Sequence, residues 1–177
     1  MNMPSGIAAV TLGFRDLIKT AMPPKVEVST LPPAKGQKFV RRAGLLARVN
    51  VALYRISTHA VGRNTPPSRR GSSAADEPQR PALDLRYLVT AYGTASPAQE
   101  HSTERLIEAA YGAIHRQPIL TSADLASALP SAAGTRPNIS ARITEEELPL
   151  ADLALLFSAM RAEYRPTSAY VVALSET

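Results

Sequence analysis

Apolar residues recur every three or four positions in three segments of the chain, which is the spacing of one helix face. The first segment, 6–21, ends before a Pro-Pro pair, and the second, 97–117, ends before Pro118. The third begins at about Pro149. The pattern therefore predicts three amphipathic helices. Their predicted inward-facing residues are Ile7, Val10, Phe14, Leu17 and Ile18 in the first, Ile107, Ala110, Tyr111 and Ile114 in the second, and Leu153, Leu156, Phe157 and Met160 in the third.

Apolar and polar residues alternate in five other segments, as they do in a strand with one buried face. These segments are 25–31, 49–58, 82–92, 138–144 and 168–174. Leu88 breaks the alternation of the third segment, so both faces of that strand are expected to be covered. Thr121 and Asp124 have the spacing of a capping box, which predicts a short helix that extends to Leu129.

The order of these elements is typical of an α/β or α+β fold. It predicts one mixed β-sheet covered by two to three helices. The chain has 177 residues, which is the usual size of one domain. We therefore expect residues 1–177 to form a single domain.

Two long connections of the predicted domain are rich in Lys and Arg. They cover about residues 34–48 and 59–81, and the second also carries four prolines and a Ser-rich centre. Connections of this length are uncommon in compact domains and usually serve a function. The candidate interface residues are Lys35, Lys38, Arg41, Arg42 and Arg48 in the first loop, and Arg63, Arg69 and Arg70 in the second. Some of these side chains are expected only to be solvated.

Charge is distributed unevenly along the chain, whose formal net charge is +5. Residues 1–75 hold twelve Lys or Arg and two acidic residues, whereas residues 76–177 hold eight Lys or Arg and thirteen acidic residues. A subunit with one basic and one acidic part favours head-to-tail association with its own copies. The alternative is a solvated surface on which the charges are unevenly distributed without a binding role. The candidate acidic partners are Glu100, Glu104 and Glu108, four residues apart on the outer face of the second helix. Alternatively, these three glutamates only form the solvent-exposed face of the helix.

Composition excludes several classes of protein. The chain has no Cys, which rules out disulfides, thiolate catalysis and cysteine-ligated metals. No apolar run approaches the ~20 residues of a membrane-spanning helix, and no signal peptide is expected. These features predict a soluble, cytoplasmic protein that does not bind a membrane.

Catalytic and cofactor motifs are also lacking in the sequence. Neither a glycine-rich phosphate loop nor a nucleophile elbow occurs. His101 and Glu104 have a metal-ligand spacing, but no second pair completes a site. The acidic run 145–147 is interpreted as favouring the start of the third helix through the helix dipole. We therefore predict no catalytic residue, no cofactor and no metal site, and hence a protein that is not an enzyme.

Four segments of the sequence resemble one protein family. They are GIAAVTLGFRDLI, NVALYRISTHAVGRN ahead of PPSRR, PALDLRYLVTAYG followed by ERLIEAAYGAIHRQPILT, and LADLALLFSAMRAEYRPTSAYVVAL. Their order and spacing are similar to those of the cap, or tail-terminator, proteins of extracellular contractile injection systems, of the antifeeding prophage and Photorhabdus virulence cassette type. Phe157 stands where that family often has Trp. The resemblance covers the N-terminal domain of the family, whose members often continue into a second region.

The resemblance implies a phage tail-terminator-like fold and a structural role. In this family, a homo-hexameric ring caps the last layer of the inner tube and sheath and stops polymerisation. The implied partners are copies of the chain itself together with sheath and inner-tube subunits, inside a particle assembled in the cytoplasm. No cofactor is implied. A terminal strand of the sheet is a candidate for pairing with a neighbouring subunit by strand addition.

Two other functions compete with the structural one. The basic first half favours a nucleic-acid-binding accessory domain. The acidic second half and the lack of a helix-turn-helix or aromatic-rich strand pattern argue against nucleic acid as a partner. An enzyme of unknown class rests only on the α/β pattern, which carries no functional information by itself.

Overall fold

A computed structural model describes residues 6–36, 47–58, 83–93, 102–128 and 139–176. Each helix and strand predicted from the sequence has a counterpart among these residues. In chain order the elements are α1 (Gly6–Thr20), β1 (Val26–Ser29), α2 (Pro33–Gly36), β2 (Ala47–Thr58), β3 (Leu83–Gly93), α3 (Ser102–Arg116), β4 (Ile119–Leu120), α4 (Ser122–Ala128), β5 (Ile139–Glu146), α5 (Leu150–Ala159) and β6 (Thr167–Glu176).

The six strands form one sheet in the order β1-β2-β3-β6-β5-β4. β1 pairs with β2 in parallel, and every other neighbouring pair is antiparallel. The prediction of a mixed sheet in an α+β fold is therefore confirmed. β6 lies between β3 and β5, inside the sheet. Both edges of β6 are therefore paired, the edge strands of the described sheet are β1 and β4, and strand addition by an edge strand stays a prediction.

One face of the sheet, here called the α1 face, carries α1, α3 and α4. Phe14 of α1 lies at its centre, fully buried, with edge-on contacts to Tyr87 and Tyr170 at ring-centroid distances of 5.4 and 5.8 Å. The α1 stripe predicted from the sequence is the buried side of this helix, apart from Ile7, which is half-buried. α4 follows the predicted capping box: Asp124 Oδ2 accepts from the Thr121 amide at 2.8 Å, and Thr121 Oγ1 accepts from the Asp124 amide at 3.3 Å.

The opposite face, here called the α5 face, is covered by α5 over β3 and β6. Leu153 and Phe157 of α5 pack on Leu88 and Ala169. Leu88 is fully buried, so the prediction that β3 is covered on both faces is confirmed. The outer side of α5 is apolar as well, and Leu150 and Leu155 are 68% and 69% exposed.

α5 ends in a left-handed turn. Arg161 has a φ of 52°, the Arg161 amide donates to Ser158 O, and the Ala162 amide donates to Phe157 O, both at 3.0 Å. This bond pattern is a Schellman motif, a position at which glycine is the preferred residue. A side chain at this position raises the cost of the motif, because Cβ disfavours a positive φ.

Two sequence-based expectations differ from the structure. Tyr111, predicted to face inward, is 45% exposed, because α3 instead buries Leu106 and Ala113 with Ala110 and Ile114. The first basic loop is shorter than the predicted 34–48. α2 occupies its start and β2 already begins at Ala47. The remainder of that loop, 37–46, and the second basic loop, 59–81, lie outside the described residues.

Candidate functional site: the two ends of the sheet

Basic side chains surround the β1 end of the sheet. Lys19 lies in the last turn of α1, Lys25 directly precedes β1, and Lys35 lies in α2. All three are exposed. Among the described residues, none of the three has an ion-pair partner within 4.0 Å. This end therefore presents three ammonium groups to solvent.

Arg48, a candidate from the first basic loop, has a different place. It lies inside β2, so the prediction that it is a loop residue is wrong. Its residue is 8% exposed, and its Nη2 lies 2.7 Å from Oε2 of Glu27 in β1. Its Nη1 donates to the carbonyl of Gly36 at 3.0 Å. A buried guanidinium must be paired in this way, and the pairing leaves it little surface for another subunit.

Asn50 in β2 holds the same end together, and sequence analysis did not single it out. Its side chain is 1% exposed, its Oδ1 accepts from Ser29 Oγ at 2.7 Å, and its amide group exchanges two hydrogen bonds with the Leu31 backbone. A Cβ placed on Gly36 would lie 3.0 Å from this amide. β1, α2 and β2 are therefore fixed as one unit, which holds Lys35 of α2 and Lys25, directly before β1, in place. A polar residue at an inward position of a strand is the only signal that the sequence offers.

Acidic side chains lie on α3 and at the end of β5. Glu104 and Glu108 are exposed on α3, as predicted, and the first turn of this helix lies beside Gly93 at the end of β3. Glu145 and Glu146 are the last residues of β5, so their interpretation as charges at the start of a helix is wrong. Glu146 forms an ion pair with Arg86 and accepts from the Tyr54 hydroxyl at 2.9 Å.

Cations lie on the same elements as these carboxylates. Arg105 and Arg116 of α3 and Arg142 of β5 are exposed. The difference in charge between the two ends of the sheet therefore comes from individual side chains, and neither end carries charges of only one sign. Glu145 and Glu108 have no ion-pair partner within 4.0 Å among the described residues, and of these two carboxylates it is Glu145 that lines a cleft.

A cleft of about 90 Å³ opens beside Glu145, between the end of α3 and β5. It lies where β4 stops covering β5: β4 pairs with only two β5 residues, and the Ile143 amide donates to the carbonyl of Pro118 at 2.7 Å. Its lining residues are Tyr111, Ile114, His115, Pro118, Ile143, Glu145 and Tyr170.

Aromatic rings form the walls of the cleft. The rings of Tyr111 and His115 are stacked, with centroids 6.1 Å apart and planes within 5° of each other. Tyr170 is 2% exposed. Burial, and then the nearby charge of Glu145, raise the pKa of Tyr170 to about 12. The phenol is therefore neutral at physiological pH, and Glu145 is the anionic group of the cleft.

The other candidate site residues form two groups: those that lie outside the described residues, and those that are described and exposed. Lys38, Arg41, Arg42, Arg63, Arg69, Arg70 and Glu100 lie outside the described residues, and their interface role stays a prediction. Lys35, Glu104 and Glu108 are described, exposed side chains whose interface role also stays a prediction. His101, half of the metal spacing considered above, is outside the described residues too.

A metal site and a membrane-spanning helix are both absent from the part of the chain that the structure describes. No group of three or more His, Cys, Asp or Glu residues is arranged to hold a metal ion there. None of the helices described is long and apolar enough to cross a membrane.

Comparison with solved structures identifies similar folds. One is the sheath/tube terminator of an extracellular contractile injection system, PVC, in its extended state, with a TM-score of 0.65 and 14% identity. Another is the tube-terminating cap of the anti-feeding prophage, with a TM-score of 0.61 and 16% identity. The matches cover 100% and 95% of this chain, but the chain spans only 58% and 55% of those two proteins.

Comparison with curated proteins gives no match. Residues 9–176 match the family described as the Pvc16 N-terminal domain. This match extends over nearly the whole chain, and it confirms the family resemblance carried by the four sequence segments. The chain belongs to the Pvc16 N-terminal domain family.

Proposed function

We propose that this protein is a structural cap of a contractile, phage-tail-like injection particle, at the end of the particle's inner tube and sheath. The observation that carries the proposal is the family match over residues 9–176. The two similar folds support it, since both are components that terminate a tube or a sheath. A role in assembly, rather than in catalysis, is consistent with a site built from exposed charges and an apolar helix face.

The cap is proposed to be a ring of identical subunits, six in number as the family resemblance implies. A ring needs heterologous contacts, in which one surface of a subunit meets a different surface of the next. The sheet supports such a contact, because its β1 end carries free ammonium groups and its β5 end carries the free carboxylate of Glu145. Oppositely charged surfaces steer association and fix the relative orientation of the subunits.

The exposed side of α5 is proposed to be a second contact surface of the assembled particle. Leu150 and Leu155 are among the most exposed large apolar side chains of the described residues. Large apolar side chains that stay exposed beside a buried helix face are typical of an interaction surface. Contact with sheath or tube subunits would cover this surface.

The test is to add the purified protein to inner-tube subunits during polymerisation and to measure tube lengths by electron microscopy. A cap shortens the tubes and appears as added density at one end. Light scattering at low and moderate salt gives the mass of the protein alone, for which we expect a species of about six subunits. Tubes that elongate as they do without the protein, with no density at their ends, would contradict the proposal.

The same cations at the β1 end favour a second candidate, a nucleic-acid-binding accessory domain. Phosphate binding by three lysines gives a slope of log K against log salt of about −3. A DNA titration at several salt concentrations distinguishes the two functions, because a cap has no such affinity.

A further inference from the structure

We infer that the cleft beside Glu145 is a receptor for a lysine side chain from the β1 end of a second copy of this chain. The inference rests on the proposed ring and specifies one of its contacts. It assigns a binding site to residues that no motif in the sequence had brought together.

The cleft has the chemistry that an ammonium group requires. Glu145 supplies a carboxylate without an ion-pair partner among the described residues. Tyr111 lines the cleft and is 45% exposed, and the face of an aromatic ring attracts a cation. The volume of about 90 Å³ exceeds what one water molecule needs, so the end of a lysine side chain can enter the cleft.

No described cation of the same chain fills the cleft. Arg116 follows His115 in the last turn of α3, next to the cleft residues of that helix. Its Nη1 lies 3.3 Å from the place that a Cβ on Gly112 would take, so the guanidinium folds back along α3. Arg86, two strands from β5 in the sheet, is engaged by Glu146 on the α5 face. Glu145 therefore faces solvent with its charge uncompensated.

The occupant follows from charge complementarity and from the sheet order. The three free ammonium groups of the described β1 end belong to Lys19, Lys25 and Lys35. β2, β3 and β6 lie between β1 and β5, so four strand spacings, about 19 Å, separate these two strands. Lys25 directly precedes β1 and therefore cannot reach the cleft of its own chain. It reaches the cleft of the next copy, which is the heterologous contact that closes a ring.

Closing the contact strengthens it. Exposed ion pairs contribute little because water screens them. When a second copy covers the cleft, the pair and the Tyr111 ring are shielded from water, and the attraction between the opposite charges rises. Glu145 has no ion pair among the described residues that would be broken when the second copy binds.

The first test compares two charge reversals that differ in position by two residues. Glu145→Lys places a cation in the cleft, whereas Glu147→Lys makes the same charge change at an exposed position outside it. We expect Glu145→Lys to weaken self-association about tenfold or more. The matched control Glu147→Lys should weaken it about threefold or less. Sedimentation velocity over a concentration series measures both, and equal losses in the two variants would overturn the inference.

The aromatic wall is tested separately. Tyr111→Ala removes the ring and should weaken association, while Tyr111→Phe keeps the ring face and should restore it. Tyr111 is 45% exposed, so neither change is expected to unfold the chain. An equal effect of the two changes would mean that the hydroxyl, rather than the ring face, is used, and would contradict the inference.

Disulfide trapping identifies the occupant directly, because the chain contains no cysteine. Glu145→Cys is combined in turn with Lys19→Cys, Lys25→Cys or Lys35→Cys. For Lys25→Cys an intrachain bridge is excluded by the distance, since Cα atoms must approach within about 7 Å. For the other two combinations, an intrachain bridge would leave the mass at that of one subunit. Oxidation of one combination should give a ladder of linked subunits. If none of the three combinations gives a ladder while Glu147→Cys does, the contact lies elsewhere.

The two proposals fail in distinguishable ways. If the unmodified protein does not cap tubes, the proposed function fails and this contact fails with it. If it caps tubes and Glu145→Lys caps them equally well, only the receptor cleft is wrong. If the protein is monomeric alone, the same variants are compared on tube ends, where the tube brings the copies together.

Discussion

The two faces of the sheet differ in how completely they are covered. Among the described residues, the buried apolar cluster on the α1 face has twenty-two members and includes Phe14. The cluster on the α5 face has four, and α5, the helix above it, leaves Leu150 and Leu155 exposed. One face therefore provides the stability of the subunit, while the other still has apolar surface available for contacts. Four changes test this difference, and they are ordered below by their expected effect on stability.

The largest effect is expected from removing the ring at the centre of the α1 face. Phe14→Ala should lower the free energy of unfolding by about 3–5 kcal/mol, because it opens a cavity between Tyr87 and Tyr170. The matched change on the other face, Phe157→Ala, should cost about 1 kcal/mol less, since its small cluster lies close to solvent. Urea unfolding of both variants measures the difference. Equal losses would mean that the two faces contribute equally.

Alkaline pH should act on the α1 face as well. Burial raises the pKa of Tyr87 and of Tyr170 to about 12, above their ordinary value. The stability from each neutral phenol is complete below about pH 10 and is lost as the pH rises toward 12, by roughly 2–3 kcal/mol per group. Denaturant midpoints measured from pH 8 to 12 should fall over that interval. Tyr170→Phe should flatten the decrease, and an unchanged profile in that variant would contradict this account.

The end of α5 should tolerate, and gain from, a glycine. Arg161→Gly relieves the positive φ of the Schellman motif, and we expect the free energy of unfolding to rise by about 0.5–1 kcal/mol. Arg161→Ala keeps a Cβ and serves as the control, with no such gain. Thermal unfolding of both variants provides the comparison.

The smallest effect on stability is expected on the exposed side of α5. Leu155→Gln should change the free energy of unfolding by less than about 0.5 kcal/mol, because the side chain is 69% exposed. The same change should reduce capping of tubes in the polymerisation experiment. Leu153→Gln, on the buried side of the same helix, should instead destabilise the subunit. Normal capping by Leu155→Gln would remove α5 from the list of contact surfaces.

The sequence was sufficient to predict the helices and most of the strands, because their apolar spacing is regular. The stripe Val10, Phe14, Leu17 and Ile18 is the buried side of α1, and the irregular Leu88 marks the strand covered on both faces. β4 was missed because two residues are too few to display an alternation. Tyr111 was predicted to face inward but is exposed. The face of α3 that is buried depends on how the helix packs on the sheet, and the local sequence does not determine this packing.

The candidate sites were harder to predict than the fold. Lys35 and Glu108 were located as exposed charges by composition and helix spacing alone. Arg48 was misassigned because its partner Glu27 is twenty-one positions away, across a strand pairing. Residues of α3, β5 and β6 line the cleft. These elements are separated in sequence, so no local sequence pattern predicts that they contact one another. The clearest signal of the cleft in the sequence, the acidic run 145–147, was assigned to a helix start.

The position of β6 has a consequence for the timing of folding during synthesis. Of the six strands, it is made last, and it joins the β1-β2-β3 half of the sheet to β5 and β4. Until it emerges from the ribosome, β3 and β5 each present an unpaired edge, and the hydrophobic surface of the nascent chain needs protection. The two charged ends acquire their fixed separation only when this strand is inserted. A chain interrupted before β6 therefore lacks the strand that joins the two halves of the sheet, and the contact surfaces proposed above would not be held at a fixed distance from each other.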